Sequence, residues 1–583
     1  MQAIDLLRAA WILFIFFLAF FLFPGYLFSA RNSSSLSLRF AGNFVRALLI
    51  ATIAGVLLAS LKCLNATTVV SLVLGVTAIA WVRKNGKTSR DWLHGLQEAA
   101  IKVVRLVEDR AIFRPLDSSA STEPRTRGWL AQSLEGRETV VAAFVFVLLT
   151  TCALFFSHPL RELRLDRPEQ YQVLLRAREL MLNLHAYQRP IIFPSVIAMV
   201  SFLSSADPMQ VIRFLSPVFE LFIVLVAGLL IRQCTRGSIA AIAGMYCLGA
   251  AALQPAVTET PMPLSTTAKL ESFFRTSLTA PGSSPEFGIG LLCLLLALVF
   301  LVDWRKDTRN WNSLVDAICC LVLLAVTSQS LLIVGFMAAG AVLLWPILGI
   351  AVLAAMSYGW ALFSTLSASL TVPVELRLAL PIAAVLFLCG AAGLLETHLV
   401  APLGHTAQGI LLLACVVVSI LWFRPHPVAT HYLEYDQAAS ETQLIAEHFP
   451  RQTWVVVAPT EQLSETLGLG GYEDLAEFVA KYQDQAADPE FEIPDAPEDL
   501  FIYVEKTPFQ FYSREPEYVP IEALVDTTYR SYRSPAGRAS LESAALQMCE
   551  TYRLSHGNAD VFFEDDDLRI YRIHRQPTQK AGG

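Results

Sequence analysis

The chain has 583 residues, 54% of them hydrophobic and only 16% charged, with a formal net charge of −7. That balance excludes an ordinary soluble globular protein, offers no basic surface for nucleic acid, and suits an integral membrane protein. The charge is divided by region: residues 425–583 hold 28 acidic and 12 basic side chains, a net of −16, so residues 1–424 carry +9.

Twelve apolar runs have membrane-spanning length: 8–29, 42–62, 66–82, 139–157, 213–231, 237–253, 287–303, 312–327, 330–347, 349–366, 378–395 and 407–423. A hydrocarbon core about 30 Å thick needs about 20 helical residues. The expected fold is therefore a polytopic α-helical membrane protein of about twelve spans. The first run is followed by Pro24-Gly25-Tyr26 where small residues would mark a cleavage site, so it reads as a retained span. Nine of the ten cysteines precede residue 424, mostly within apolar runs, and no metal-binding spacing occurs among them.

Residues 83–138 carry 11 basic side chains, from Arg83 to Arg137, and positive loops stay in the cytoplasm. Within them, Trp92, Leu93, Leu96, Ala100, Val103, Val104 and Val107 recur at helical spacing, which predicts an interfacial helix over 91–107. Residues 114–128 read as a linker. Basic connections at Arg31/Arg39, Arg232/Arg236 and Arg305/Lys306/Arg309 agree with the same orientation, provided that the apolar stretch 191–204 does not span. Residues 158–212, 254–286, 367–377 and 425–583 then lie outside. The domain division is a three-span module (1–83), a cytoplasmic loop (84–138), a second membrane module (139–424) and an extracytoplasmic domain (425–583).

The first external loop predicts a helix along the outer surface over 168–184, with Leu174, Leu175, Leu180, Met181 and Leu184 on its apolar face. Asp166-Arg167-Pro168-Glu169 reads as its N-cap, with proline in the first turn and an acid at the capping-box position. Asp207-Pro208 reads as a turn before the next span. The second external loop holds Glu259, Lys269 and Arg275, and a short later loop holds Glu375 and Arg377. Residues 430–575 predict a small α/β domain. Its strands are Thr453–Ala458 and Leu500–Val504, with 460–483 mostly helical between them, a helix over Ala539–Leu554, and a hairpin of Val561–Phe563 with Leu568–Ile573. The acidic hairpin tip at 564–567 lacks EF-hand spacing.

The order LRLDRPEQY, VLLRAREL, RPIIFPSVIAMVSFL, SSADPMQVIRFL, IRQCTRG, SIAAIAGMYCLGAAAL resembles the GT-C superfamily of integral membrane glycosyltransferases over about residues 139–255. The resemblance implies transfer of a sugar from a polyprenyl-phosphate donor to an acceptor on the outer face of the plasma membrane. It implies Asp166 as the catalytic acid or base on the acceptor side, and Glu259 as a second acidic position. It implies Arg161, Arg164, Arg167 and Arg275 as partners of the donor phosphate, a divalent metal (Mg or Mn) as an optional cofactor, and the lipid-linked sugar donor, membrane lipids and proteins bound through the C-terminal domain as partners. The chemistry needs such groups: a hydroxyl or amide attacking an anomeric carbon gives up a proton, and the departing phosphate needs cations. For the arginines, snorkelling at the interface is the competing reading. The Trp-Trp-Asp-Tyr-Gly motif of oligosaccharyltransferases is absent, which argues against asparagine-linked transfer to protein. Two rivals stand beside this reading: a non-catalytic scaffold subunit of a larger complex, and a transporter. Transporters place charge near the midplane, whereas these runs are nearly free of it except at Asp316 and Glu220.

The topology is testable. A cysteine engineered in 83–138 should resist an impermeant thiol reagent in intact cells, and one in 430–575 should react. Labelling of the first would exclude the orientation.

Overall fold

A computed structural model describes residues 2–24, 36–85, 127–165, 168–184, 191–251, 285–308, 310–344, 374–400, 434–459, 461–493, 498–509 and 535–574. The helices are α1 (Gln2–Phe17), α2 (Leu36–Ser60), α3 (Ala66–Asn85), α4 (Arg127–Phe155), α5 (Pro168–Met181) and α6 (Ile192–Ser204). They continue as α7 (Pro208–Thr235), α8 (Ser238–Ala251), α9 (Pro285–Lys306), α10 (Trp311–Thr327), α11 (Gln329–Leu344) and α12 (Val374–Leu395). Single π-helical turns extend α1 over Leu18–Leu22 and α12 over Glu396–Val400. Among the described residues, three helices are long and apolar enough to cross a membrane: Ser37–Ser60, Pro208–Thr235 and Phe287–Lys306. Eight shorter apolar helices accompany them. Two of the expected runs, 349–366 and 407–423, and the expected interfacial helix and linker of 91–128 up to residue 126, lie outside the described residues.

The centre of the bundle is α9. Its apolar stretch is 94% buried, as a helix hydrophobic all round must be, and it packs on α7, α10 and α11. The N-terminal helices join the same core. Phe16 and Phe20 of the first segment stack at 4.9 Å, and Phe44 of α2 and Phe219 of α7 close the cluster at 6.0 Å. α2 meets α10 through an ion pair: Arg46 Nε donates to Asp316 Oδ1 at 2.5 Å. A Cβ on Gly42 would collide with the Asp316 carboxylate, so glycine at that position lets the helices approach. The N-terminus of α8 is capped from afar: Ser238, Ile239 and Ala240 donate their backbone N–H groups to the Glu396 carboxylate at 3.0, 3.1 and 2.9 Å. These pairings satisfy groups that apolar surroundings would otherwise leave costly.

α6 runs through the stretch expected not to span. Its 13 residues rise only about 20 Å, and 11 of them are buried inside the protein. Asp207-Pro208 is more than a turn. Asp207 is the N-cap of α7, its carboxylate accepting from Met209 N at 2.8 Å with proline in the first turn. α7 therefore begins before Arg213, and Pro217 lies well inside it.

The C-terminal domain comprises α13 (Asp436–His448), β1 (Trp454–Ala458), α14 (Glu461–Thr466), β2 (Gly471–Asp474), α15 (Leu475–Tyr482), β3 (Asp499–Glu505), α16 (Pro535–Ser555), β4 (Ala559–Glu564) and β5 (Leu568–His574). Its five strands are ordered β2-β1-β3-β5-β4, with β2, β1 and β3 parallel and β5 and β4 antiparallel additions. Strand alternation builds three layers. Trp454, Val456, Phe501 and Tyr503 face α13 through Ala438 and Ile445. Val457, Leu500, Ile502 and Val504 face the other way, toward Phe478 of α15 and Met548 of α16. The sequence reading located β1, β3, the hairpin and most of α16. It missed β2, a short edge strand inside the segment expected to be helical, and α13.

Arg538 of α16 makes a buried two-pronged pair with Glu505 of β3, Nε to Oε2 at 2.7 Å and Nη2 to Oε1 at 2.6 Å. Arg538→Met should lower the melting point of the purified chain strongly, by about 3–5 kcal/mol of domain stability, because it strands a buried carboxylate. Adding Glu505→Leu should recover most of the loss.

Candidate active site

One residue of the expected site, Arg164, lines a recess where the loop after α4 meets α5 and α7. α5 does not lie exposed along the outer surface, as its pattern suggested. Tyr171, Val173, Leu174, Ala177 and Leu180 are all buried, because α6 packs on one side and α14 covers the other. The helix has apolar residues on more of its circumference than one face, and the second half of that surface serves the C-terminal domain.

The loop is fixed by side chains. His158 Nε2 approaches Glu162 Oε2 at 3.5 Å, and Arg164 Nε donates to the same oxygen at 2.7 Å. Burial pushes the Glu162 carboxyl up, but the bonds from His158 and Arg164 outweigh it and hold the group at about 2. Asp436, the first residue of α13, accepts from the backbone N–H groups of Leu163 and Arg164 at 2.6 and 2.9 Å. Arg164 Nη1 donates to the Glu434 carbonyl at 2.8 Å. From α7, buried Arg213 donates through Nη2 to the Pro159 carbonyl at 2.6 Å.

Between these elements is a cavity of about 30 Å³. Its polar lining is His158, Arg164, Gln170, Arg213, Ser216 and Glu220, and Leu165 forms part of its wall. The volume holds about two waters and is far smaller than a sugar. Arg213, Ser216 and Glu220 share one face of α7, at spacings of three and four. Ser216 Oγ is buried and has no hydrogen-bond partner among the described residues. Pro217, also in the wall, has no N–H to return to the Arg213 carbonyl. The arrangement joins two guanidinium groups, one carboxylate and one imidazole in a partly apolar recess. Such a set can neutralise an oxyanion and exchange a proton.

Of the residues singled out in the sequence, Arg164 lines this cavity. Arg161 is exposed and is not part of the lining; its backbone N–H closes a turn on the His158 carbonyl at 2.8 Å. Asp166, Arg167, Glu259 and Arg275 lie outside the described residues. Asp166 nevertheless follows directly on the cavity residue Leu165, and α5 starts two positions later at Pro168. Among the described residues no group of three or more His, Cys, Asp or Glu side chains could hold a metal, and the acidic residues implied as ligands, Asp166 and Glu259, are outside them. Sequence reasoning missed Arg213, Ser216 and Gln170 as site residues. For Arg213 and Ser216 the available signal was the polar spacing of three and four within a largely apolar α7.

Comparisons of the chain with protein-family models, with curated proteins and with solved structures find no match.

Arg213→Ala should lower the melting temperature, since a buried charge-assisted bond to the Pro159 carbonyl contributes about 1.5–3 kcal/mol. Arg213→Lys should restore part of it, because the ammonium keeps a donor for the Pro159 carbonyl but loses the planar fork. Equal damage from both would mean that the fork, and not a single donor, holds the loop.

Proposed function

We propose that the chain is a membrane glycosyltransferase that moves a sugar from a polyprenyl-phosphate-linked donor to an extracytoplasmic acceptor. In this reading about twelve spans cross the plasma membrane and the C-terminal α/β domain lies outside. The observation that supports it is the cavity lined by Arg164, Leu165 and Arg213, whose residue Leu165 directly precedes Asp166 in the sequence. In the reaction an acceptor oxygen or nitrogen forms a bond to the anomeric carbon. The bond from that carbon to the phosphate oxygen breaks, and polyprenyl phosphate leaves. Asp166 takes the acceptor proton, while Arg213 and Arg164 offset the charge on the departing phosphate. No step is assigned to a metal.

A second reading, a non-catalytic scaffold of this architecture, is favoured by a different observation. The Arg164 guanidinium is already bonded to Glu162 and to the Glu434 carbonyl, and so serves the junction with the C-terminal domain.

Asp166→Asn separates the two. Asn is itself a good N-cap, so expression and detergent stability should change by at most several tenths of a kcal/mol. Transfer from a polyprenyl-phosphate sugar should fall by about 10²-fold or more. Asp166→Ala should lose rate and also about 1 kcal/mol of stability. A fully active Asn variant would remove Asp166 from the chemistry and leave the scaffold reading ahead.

A further inference from the structure

α7 runs from the C-terminal domain to the far side of the bundle. Its head is fixed at the domain by Arg178, which bonds Asp207 at 3.1 Å and the Leu467 carbonyl at 3.1 Å. Its 28 residues then rise about 42 Å, more than the hydrocarbon core of a bilayer. The last turn of α9 meets the last turn of α7 at that far end, where Lys306 Nζ donates to the Gln233 carbonyl at 3.0 Å. These two turns carry four exposed cations, Arg232, Arg236, Arg305 and Lys306. The acids nearby are committed to other partners. Asp303 and Glu396 are buried, the first accepting from Asn310 and Ser313 and the second capping α8. Asp307 is the exposed acid of this region among the described residues.

Three further features of these turns point to a ligand. Gln233 Oε1, an acceptor, and Trp304 Nε1, a donor, are buried and have no hydrogen-bond partner among the described residues. Buried polar atoms are normally paired, and a bound headgroup with hydroxyls pairs both. Arg236 closes α7 at φ 62°, a left-handed conformation usually given to glycine. A strained position that keeps a guanidinium marks a side chain held for its charge. Finally, Leu225, Val226 and Leu229 are half-buried on the face of α7 that leads to Arg232, Gln233 and Arg236. That strip is an apolar seat ending in cations.

We propose that the far ends of α7 and α9 bind the headgroup of an anionic phospholipid, in the leaflet opposite the C-terminal domain. Arg232, Arg236, Arg305 and Lys306 offset the phosphate charge, and the guanidinium groups match its oxygens in pairs. Hydroxyls of a glycerol headgroup donate to Gln233 and accept from Trp304. An acyl chain lies along Leu229, Val226 and Leu225, which a free phosphate leaves uncovered. A zwitterionic headgroup brings a cation of its own, which the four cations repel. The inference rests on the chain spanning a membrane and not on sugar transfer, so its failure leaves the transferase reading untouched.

Titration of fluorescent phosphatidylglycerol and phosphatidylcholine onto the purified full chain in nonionic detergent tests the site. Phosphatidylglycerol should bind more tightly by about tenfold or more. Arg232→Gln with Arg236→Gln should weaken its binding by about tenfold or more. Removing two charges at the domain end, Arg8→Gln with Lys62→Gln, should change it by no more than about twofold, since exposed charges act locally. Arg236→Gly should weaken binding by about fivefold, yet the melting temperature without lipid should hold or rise, because glycine suits the left-handed cap. Equal affinity for the two lipids overturns the proposal, and so does equal loss from the domain-end pair. Displacement of the lipid by millimolar inorganic phosphate overturns it in favour of a soluble phosphate. If the double arginine variant fails to accumulate, Arg236→Gly decides alone, and undiminished binding in it overturns the site.

Discussion

Arg178 ties the two halves of the molecule together. It is 5% exposed, and its guanidinium joins three elements at once: its own helix α5, the N-cap Asp207 of α7, and the turn after α14. A buried guanidinium is tolerable only with charged or carbonyl partners in fixed positions, so each of the three elements constrains the other two. The positions of the loop after α4, of the cavity and of the C-terminal domain all follow from that seam. Asp436 reinforces it from the domain side by taking two backbone N–H groups of the loop.

Polar groups are used the same way within the bundle. Asp316 meets Arg46, Glu396 caps α8, and Asp303 accepts from both Asn310 and Ser313 at 3.0 and 2.7 Å. Each removes an unpaired charge or dipole from apolar surroundings, and each fixes one helix against another. The cavity beside Leu165 differs. Ser216 is left without a protein partner among the described residues, and its wall contains a proline that leaves a turn of α7 without its usual bond.

Much of the fold was legible in the sequence because helix and strand periods survive burial. The apolar runs over α2, α7 and α9 and the alternation in β1, β3 and β5 report local structure directly. α13 was not seen, since its apolar residues Ala438, Ala439 and Ile445 are few and small against a polar background. β2 was not seen, since four residues, GYED, hold no alternation strong enough to stand out from flanking helix. α5 was seen, but its setting was not: an amphipathic pattern states that a face is buried, not whether lipid, a bundle or another domain covers it.

The sequence by itself determined the membrane character of the chain and the acidic C-terminal α/β domain. These depend on composition and short-range periodicity, which are local. Only the tertiary structure decided that Arg213, Ser216 and Glu220 face His158 and Arg164 across a cavity, and that Glu434 lies under Tyr171. Tyr171 and Glu434 are 263 positions apart in the chain. No local pattern encodes such a meeting, because it comes from the packing of α5 between the bundle and the domain and from the need to pair every charge buried there.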